Sequence, residues 1–375
     1  MISWKIPSLE HPPAPKAPRL LLWFFISIFI GLVGFSFGIY LSSTETLSNN
    51  INNSELITLF VAFPIIAIWL IRALTYSIAT YRYNIYIEML DDAKNKWRYW
   101  AEKNIGLLTD VRLTQLDENS KQKHLVLSSI PPNKENKLTL NSLEGLSLWE
   151  KQEKIIDSLL SPLAEYYHQY EMNQPITFYW QTNDEDTDWE KLIQYNASRL
   201  SLPFEKIEVL PYNTFNEWLL SRYDDLSESK LYAILAFQLE PTTTEEATSL
   251  LLAPQIVYES LNIPIKAKLL RPISCDIATF SEALKMQFEF QHSEKLIDGI
   301  WHANVADKNQ GKCVQSYAEL NIPKLSEHLY DTNMFLGKES NVRHNVILSL
   351  VTEFPRKSLI VYQDNNRFLL QQVQI

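Results

Sequence analysis

Hydrophobic positions are spread unevenly along this chain, and the first long run of them carries no charge. Leu20 to Ser42 is 23 residues rich in Leu, Ile, Phe and Val. At 1.5 Å of rise per residue, a helix of that length crosses a hydrocarbon layer of roughly 30 Å. A second run, Leu56 to Tyr81, is broken only by Arg72 and carries Pro64 near its start. The pattern predicts two transmembrane helices, 20–42 and 56–81, joined by a short loop at 43–55. A cleaved leader fits poorly, because the first run exceeds the usual apolar core of about 7–15 residues and no small-residue cleavage site follows it.

The flanks set an orientation. Lys5, Lys16 and Arg19 precede the first run, and Arg72, Arg82, Lys94, Lys96 and Arg98 lie at or beyond the end of the second. The loop between them has Glu45 and Glu55 and no Lys or Arg. Positive residues stay on the cytoplasmic side, so both termini are expected there. Residues 1–19, with Pro7, Pro12, Pro13, Pro15 and Pro18, read as an extended leader. Gly34 and Gly38 have the spacing of a close helix–helix contact and offer a dimer face.

Beyond the second run the period changes. Residues 82–105 keep a helical pattern and read as a stalk, followed by a domain at 106–375. Short β-rich runs occur at Leu125–Ile130, Ile176–Gln181, Lys206–Leu210, Leu231–Leu239, Ile265–Leu270 and Leu296–Trp301. A closing pair, Leu359–Gln363 and Phe368–Val373, is joined by Asp364-Asn365-Asn366, a hairpin turn. Amphipathic stretches lie between them at Leu148–Tyr170, Trp189–Leu200, Phe215–Tyr223, Ala278–Phe290 and Val342–Phe354. The expected fold is therefore a two-helix transmembrane hairpin followed by an α/β domain with a mixed sheet.

Charge and composition narrow the chemistry. Residues 1–98 hold 8 basic and 6 acidic side chains, and the rest of the chain is strongly acidic, giving −10 overall. An acidic domain repels phosphate backbones, so no nucleic-acid partner is expected. Only 8 glycines occur in 375 residues. That scarcity speaks against the glycine-rich loops that cradle nucleotides, and none of their signatures is present. The seven histidines (11, 124, 168, 292, 302, 328 and 344) show no metal-ligand spacing, and neither do Cys275 and Cys313. Asp184, Glu185, Asp186 and Asp188 lack the glycine and distal Glu of a calcium loop and read as a solvated helix start. No catalytic, cofactor or metal residue is assigned, and no cofactor is expected. Cys275, before a helix with Asp276 as its cap, is the one conceivable nucleophile, but no glycine-rich turn builds an oxyanion hole beside it. Tyr179, Trp180, Trp189, Trp218, Trp301 and Tyr330 read mostly as core, with a minority available as protein anchors.

Three stretches carry a resemblance. Leu231–Leu239 runs into Glu245, Glu246 and Ala247, an apolar strand before an acidic helix start. Lys268–Pro272 reads KLLRP, and Phe335-Leu336-Gly337 precedes an apolar helix and the terminal hairpin. With the two spans, this layout resembles the type VI lipase adaptor family of secretion accessory proteins. The last stretch also looks like the closing part of a thiolase-like domain, without the glycine-rich turns and Cys/His sites of active ketosynthases. The resemblance implies a bacterial inner-membrane protein, multi-pass, whose domain is a non-enzymatic adaptor or scaffold. Its partners would be the lipid bilayer and a protein, either a secreted effector or the secretion spike. The alternative is a membrane-bound enzyme with a site near Cys275.

Overall fold

The computed structural model describes residues 2–7, 10–42, 55, 58–119, 138–182, 188–210, 215–224, 230–239, 244–291, 297–320, 328–337, 340–354 and 357–375. The chain forms two compact units, one of residues 7–96 and one of residues 1–6 together with 97–375.

The first unit is an apolar helical hairpin. Helix α1 (Leu20–Ser42) meets a π-helical turn (Thr58–Ala62) and the first part of α2 (Phe63–Glu102). Their contacts pair in antiparallel order: Arg72 over the Trp23 ring, Trp69 Nε1 donating to Ser27 Oγ at 2.8 Å, and Phe37 edge-on to Phe60. Gly34 is needed here for space, because a Cβ would stand 2.0 Å from the Phe60 carbonyl oxygen. A Cβ on Gly38 would meet nothing within 4 Å, so of the two glycines predicted to form a dimer face, Gly34 is occupied within the chain. Both helices are long and apolar enough to cross a membrane, and their apolar side chains are exposed. Pro64 follows the π-helical turn directly, inside a helix that runs unbroken from Thr58 to Glu102, so its missing N–H leaves a carbonyl of the preceding turn without its usual donor. Helix α2 is continuous to Glu102, and strand β1 (Asn104–Leu113) starts two residues later, inside the stretch expected to be stalk.

The second unit is an α/β domain whose described strands form one mixed sheet. Their order is β3-β2-β4-β5-β1-β6-β11-β10-β8-β9, with β7 also paired to β11. The strands are β2 (Ile176–Gln181), β3 (Phe204–Val209), β4 (Leu231–Gln238), β5 (Glu246–Pro254), β6 (Ala267–Leu270), β7 (Ile273–Asp276), β8 (Gly299–Ala303), β9 (Leu329–Asp331), β10 (Ser358–Asp364) and β11 (Arg367–Gln374). The pairing repeats. In the first half β2 lies parallel to β3 and β4, β5 runs antiparallel to β4, and β1 antiparallel to β5. In the second half β8 lies parallel to β9 and β10, β11 antiparallel to β10, and β6 and β7 antiparallel to β11. The two halves join through β1 and β6, antiparallel, with Asn104 opposite Leu270.

Strand β4 shows why the sheet is covered on both faces. Leu231, Ala233, Leu235 and Phe237 enter one apolar cluster with α4 (Leu148–Gln169) and α5 (Trp189–Arg199). The intervening Tyr232, Ile234 and Ala236 enter another with α6 (Phe215–Arg222) and α11 (Arg343–Val351). Alternation of period two thus feeds two cores. That second cluster also contains Trp301, Ile360, Tyr362 and Val373 from the other half, so α11 lies between the halves, in contact with β1, β5, β8 and β10. Short helices α3 (Gln115–Asn119) and α7 (Gln255–Ser260) follow β1 and β5, and α8 (Phe280–Phe290) and α9 (Asp307–Glu319) pack together outside the second half.

Several expectations change here. Glu245, Glu246 and Ala247 do not start a helix: β5 begins at Glu246 and all nine of its residues are buried. A run this apolar satisfies a central strand better than a surface helix. Asp276 does not cap α8 directly. Thr279 occupies the cap position and donates to the Asp276 carboxylate. The strand expected at Leu125–Ile130 lies outside the described residues.

Candidate functional site

The centre of the domain is a helix that apolarity alone does not explain. All nine residues of α11 are buried, among them Arg343, His344, Asn345 and Ser349. Burying these groups is costly unless each finds partners, so their partners define the site.

Arg343 Nε donates to Glu246 Oε1 at 3.1 Å, on the first residue of β5. Its two terminal nitrogens donate at 3.0 Å to the carbonyls of Leu336 and Gly337. These carbonyls end the short helix α10 (Asn333–Leu336), and Gly337 follows at φ 77°, a left-handed conformation that favours glycine. Ser340 also donates to Glu246 Oε1, while Glu246 Oε2 has no hydrogen-bond partner among the described residues. Asn345 donates to Gln181 at the end of β2, and Ser349 to Asp110 of β1.

His344 sits between two amides. Its Nδ1 lies 2.9 Å from Asn216 Oδ1 on α6, and its Nε2 lies 3.2 Å from Gln371 Oε1 on β11. Burial pulls the imidazole down from the usual 6.5 to about 4, so the ring is neutral near neutral pH. A neutral ring has one donor, and the next bonds decide which nitrogen carries it. Gln371 Nε2 donates to Tyr223 Oη, and Tyr223 Oη donates to the Leu269 carbonyl at 2.6 Å. Gln371 therefore presents its oxygen to His344, which donates from Nε2. The Nδ1 lone pair then accepts from Asn216 with its amide turned to present NH2. Phe215 and Tyr362 close over the ring, edge-on and stacked respectively.

The other predicted groups are elsewhere. Cys275 on β7 and Cys313 on α9 are free and buried, and burial pushes both thiols up to about 12. Neither is a thiolate near neutral pH, so neither is an active nucleophile. With them on the outer side of the second half lies His302, whose Nε2 is 2.8 Å from Tyr317 Oη and which burial also lowers to about 4. His168 meets the Leu200 carbonyl at 2.9 Å. His124, His292, Asp184, Glu185 and Asp186 lie outside the described residues. Asp188 caps α5 by accepting from Lys191 N, and its carboxyl is held below the usual range by hydrogen bonds from Lys191. No group of three potential metal ligands occurs among the described residues. Trp189 and Trp301 are fully buried, and Tyr179 and Trp218 pack tilted against each other, so these aromatics serve the core. Sequence reading missed Asn216, Tyr223, Glu246, Arg343 and Gln371, because their partners lie far away along the chain.

Comparison with known proteins then places this geometry. No family model matches the chain, and no curated protein matches it. Solved structures do match in shape. The oxazolomycin ketosynthase domain KS8 of Streptomyces albus aligns over 72% of this chain and 95% of its own length, at 9% identity and a TM-score of 0.51. A type II polyketide ketosynthase, solved in complex with its acyl-carrier protein and bound to the hexaketide, aligns over 73% of this chain and 99% of its own length, at 10% identity and a TM-score of 0.51. The domain has a ketosynthase fold. It is a thiolase-like α/β domain in which the same strand pattern occurs twice. This corrects the expectation of a non-enzymatic adaptor for a secreted effector, because the neighbours that share the fold are ketosynthases. Shape alone transfers no residue role at such identities.

Proposed function

We propose that this chain is a membrane-anchored protein of acyl-group metabolism, whose domain binds an acyl thioester and moves a proton at the acyl group without a cysteine nucleophile. The observation that carries the reading is the neutral, oriented imidazole of His344 on the central helix of an enzyme fold. A neutral histidine takes a proton through its lone pair, and burial that holds its conjugate acid near 4 leaves it a weak base until bound substrate raises that value. Here the lone pair is on Nδ1, held by the Asn216 amide beneath Phe215 and Tyr362, and a substrate carbon acid reaches it when these side chains part and Asn216 gives way. The α-carbon of a thioester is such an acid, and Nδ1 takes its proton to leave an enolate. Acyl transfer to a cysteine is not part of the reading, because both thiols are buried and protonated. A protein partner, an acyl carrier delivering the thioester, fits the neighbour that was solved with one.

The test is solvent exchange. Acetyl-coenzyme A incubated with the full chain in D2O should lose its methyl proton signal at least a hundredfold faster than with His344→Gln. The double variant Cys275→Ser, Cys313→Ser should exchange as the parent does. Background exchange with every form, or exchange that needs a cysteine, would overturn the reading.

Anchoring rests on the hairpin together with the start of the chain. Residues 1–6 belong to the same unit as 97–375. Ser3 N donates to the Ser274 carbonyl at 2.8 Å, Trp4 Nε1 donates to Pro272 O at 2.9 Å, and Trp4 is buried against Trp100. A segment held there, with two apolar helices between it and the rest of the domain, fits an even number of crossings. Tags on residue 2 and on Ile375 should both be cytoplasmic in a bacterial inner-membrane reporter assay, and opposite sides would refute the hairpin.

A further inference from the structure

A separate cavity of about 430 Å³ opens where the two half-sheets meet. The last turn of α2, the start of β1, strand β6 and the end of β11 line it, and three lysines, Lys103, Lys268 and Lys357, reach it against one carboxylate, Glu102. We propose that this cavity binds a small phosphoester that carries a hydroxyl group.

Charge gives the first half of the argument. The protein as a whole carries −10, so three lysines converging on one cavity run against its average. Elsewhere in the domain, Lys151, Lys191, Lys206, Lys230 and Lys266 each meet a carboxylate, while Lys285 on α8 and Lys308 and Lys312 on α9 make no salt bridge among the described residues, so convergence on one cavity is what sets the three apart. No salt bridge involves Lys268 or Lys357 among the described residues, and Lys103 lies over the Tyr99 ring, 5.8 Å from its centre. Ammonium groups left without an anion favour one, and phosphate is the anion lysine binds as a compact point charge.

Gln291 gives the second half. It ends α8, lines the cavity and is 98% buried, with 2% of its surface exposed. Its Nε2 donates to two carbonyls, Ala101 at 2.9 Å and Arg271 at 2.8 Å, which fixes the amide. Its Oε1 is buried and has no hydrogen-bond partner among the described residues. An acceptor in that state calls for a donor. Phosphate at neutral pH supplies mostly acceptors, whereas a hydroxyl on the same molecule supplies the O–H. Two neighbouring amides, Asn104 and Gln255, are already engaged. Asn104 Nδ2 donates to Gln255 Oε1 at 3.1 Å and Tyr258 Oη donates to Asn104 Oδ1, while Gln255 Nε2 donates to Glu259. Gln291 Oε1 is the buried acceptor of this lining left without a partner among the described residues, and the volume suits a ligand of glycerol phosphate size or somewhat larger. This site stands apart from His344, and its fate does not depend on the acyl reading.

The experiment uses the full chain in phosphatidylcholine nanodiscs, titrated calorimetrically with sn-glycerol 3-phosphate and with inorganic phosphate. Saturable binding of sn-glycerol 3-phosphate is expected, tighter than inorganic phosphate and weakened at least tenfold in Lys268→Ala, Lys357→Ala. Gln291→Leu should remove the preference for the glycerol ester while leaving inorganic phosphate bound. Should that variant fail to fold, the preference of the parent protein still reads the hydroxyl. Phosphatidylglycerol added to the nanodiscs distinguishes the source: competition with the soluble ester assigns the site to a lipid headgroup, and no competition assigns it to a soluble metabolite. Absence of saturable binding, or binding untouched by the double lysine variant, overturns the proposal.

Discussion

Replacing Arg343 by leucine should cost about 3–5 kcal/mol of domain stability, the usual penalty for breaking a buried ion pair by removing one partner. Arg343 and Glu246 have side chains 0% and 1% exposed. Without the guanidinium, the Glu246 carboxylate keeps only the Ser340 hydroxyl, and the Leu336 and Gly337 carbonyls lose their donors. Typical domains have about 5–15 kcal/mol in hand, so the variant should unfold at a markedly lower temperature. The readout is the fluorescence and near-UV dichroism of buried Trp189 and Trp301, since the hairpin helices would keep far-UV signal in detergent. The double variant Arg343→Leu, Glu246→Leu should recover much of the loss, because it removes both charges together. A single variant within about 1 kcal/mol of the parent, well short of that loss, would mean the pair is not the clasp between α11 and β5.

That clasp marks the boundary of what the sequence discloses. Elements held by local pattern were readable: the uncharged run of α1, the 3.6-residue period of α4, and the β10–β11 hairpin with Asn365 at φ 52° in its turn. The mixed α/β class followed from them. Strand β5 was misread because Glu245 and Glu246 imitate a helix start, and only the distant Arg343 shows why an acidic residue begins a buried strand. Strand β1 was missed because its first two residues fall at the end of the expected stalk and Thr109, Asp110 and Arg112 break the apolar run of the rest. The doubled strand pattern is invisible as a sequence repeat, since strand order needs the same hydrogen bonding and not the same residues.

The site was less legible than the fold, for one physical reason. A buried polar group is recognised by its partners, and those of α11 come from α6, β1, β2, β5 and β11. In the linear sequence Arg343 and His344 look like the polar start of an ordinary amphipathic helix. The same ambiguity led Cys275 to be weighed as a nucleophile, when its environment keeps it protonated. It also let the two apolar helices dominate the functional reading, since an apolar run is written in consecutive residues and a buried polar network is not.

Acid should unfold this domain well above the pH at which its carboxylates titrate. His302 and His344 are each lowered from the usual 6.5 to about 4, chiefly by desolvation. The folded state refuses a proton on either ring until about pH 4, whereas the unfolded chain takes both near 6.5. Their contribution is thus complete above pH 6.5 and is lost progressively as the pH falls toward 4. A shift of this size corresponds to about 3 kcal/mol per histidine, so the pair removes about 6 kcal/mol across that window. Two carboxyls act in the opposite sense. Burial raises Glu353 and Asp364, so the folded state binds their protons more readily as the pH drops. Both are only partly buried, and solvent screening keeps their effect below that of the two rings. Denaturant midpoints measured at intervals from pH 7.5 to 4.5 should therefore fall steeply below 6.5. His302→Gln, His344→Gln should flatten the curve, even though it starts from a lower stability. A parent curve that stays level down to pH 4.5 would show that one or both rings are protonated in the fold, and with that the neutral His344 on which the proposed chemistry depends would be lost.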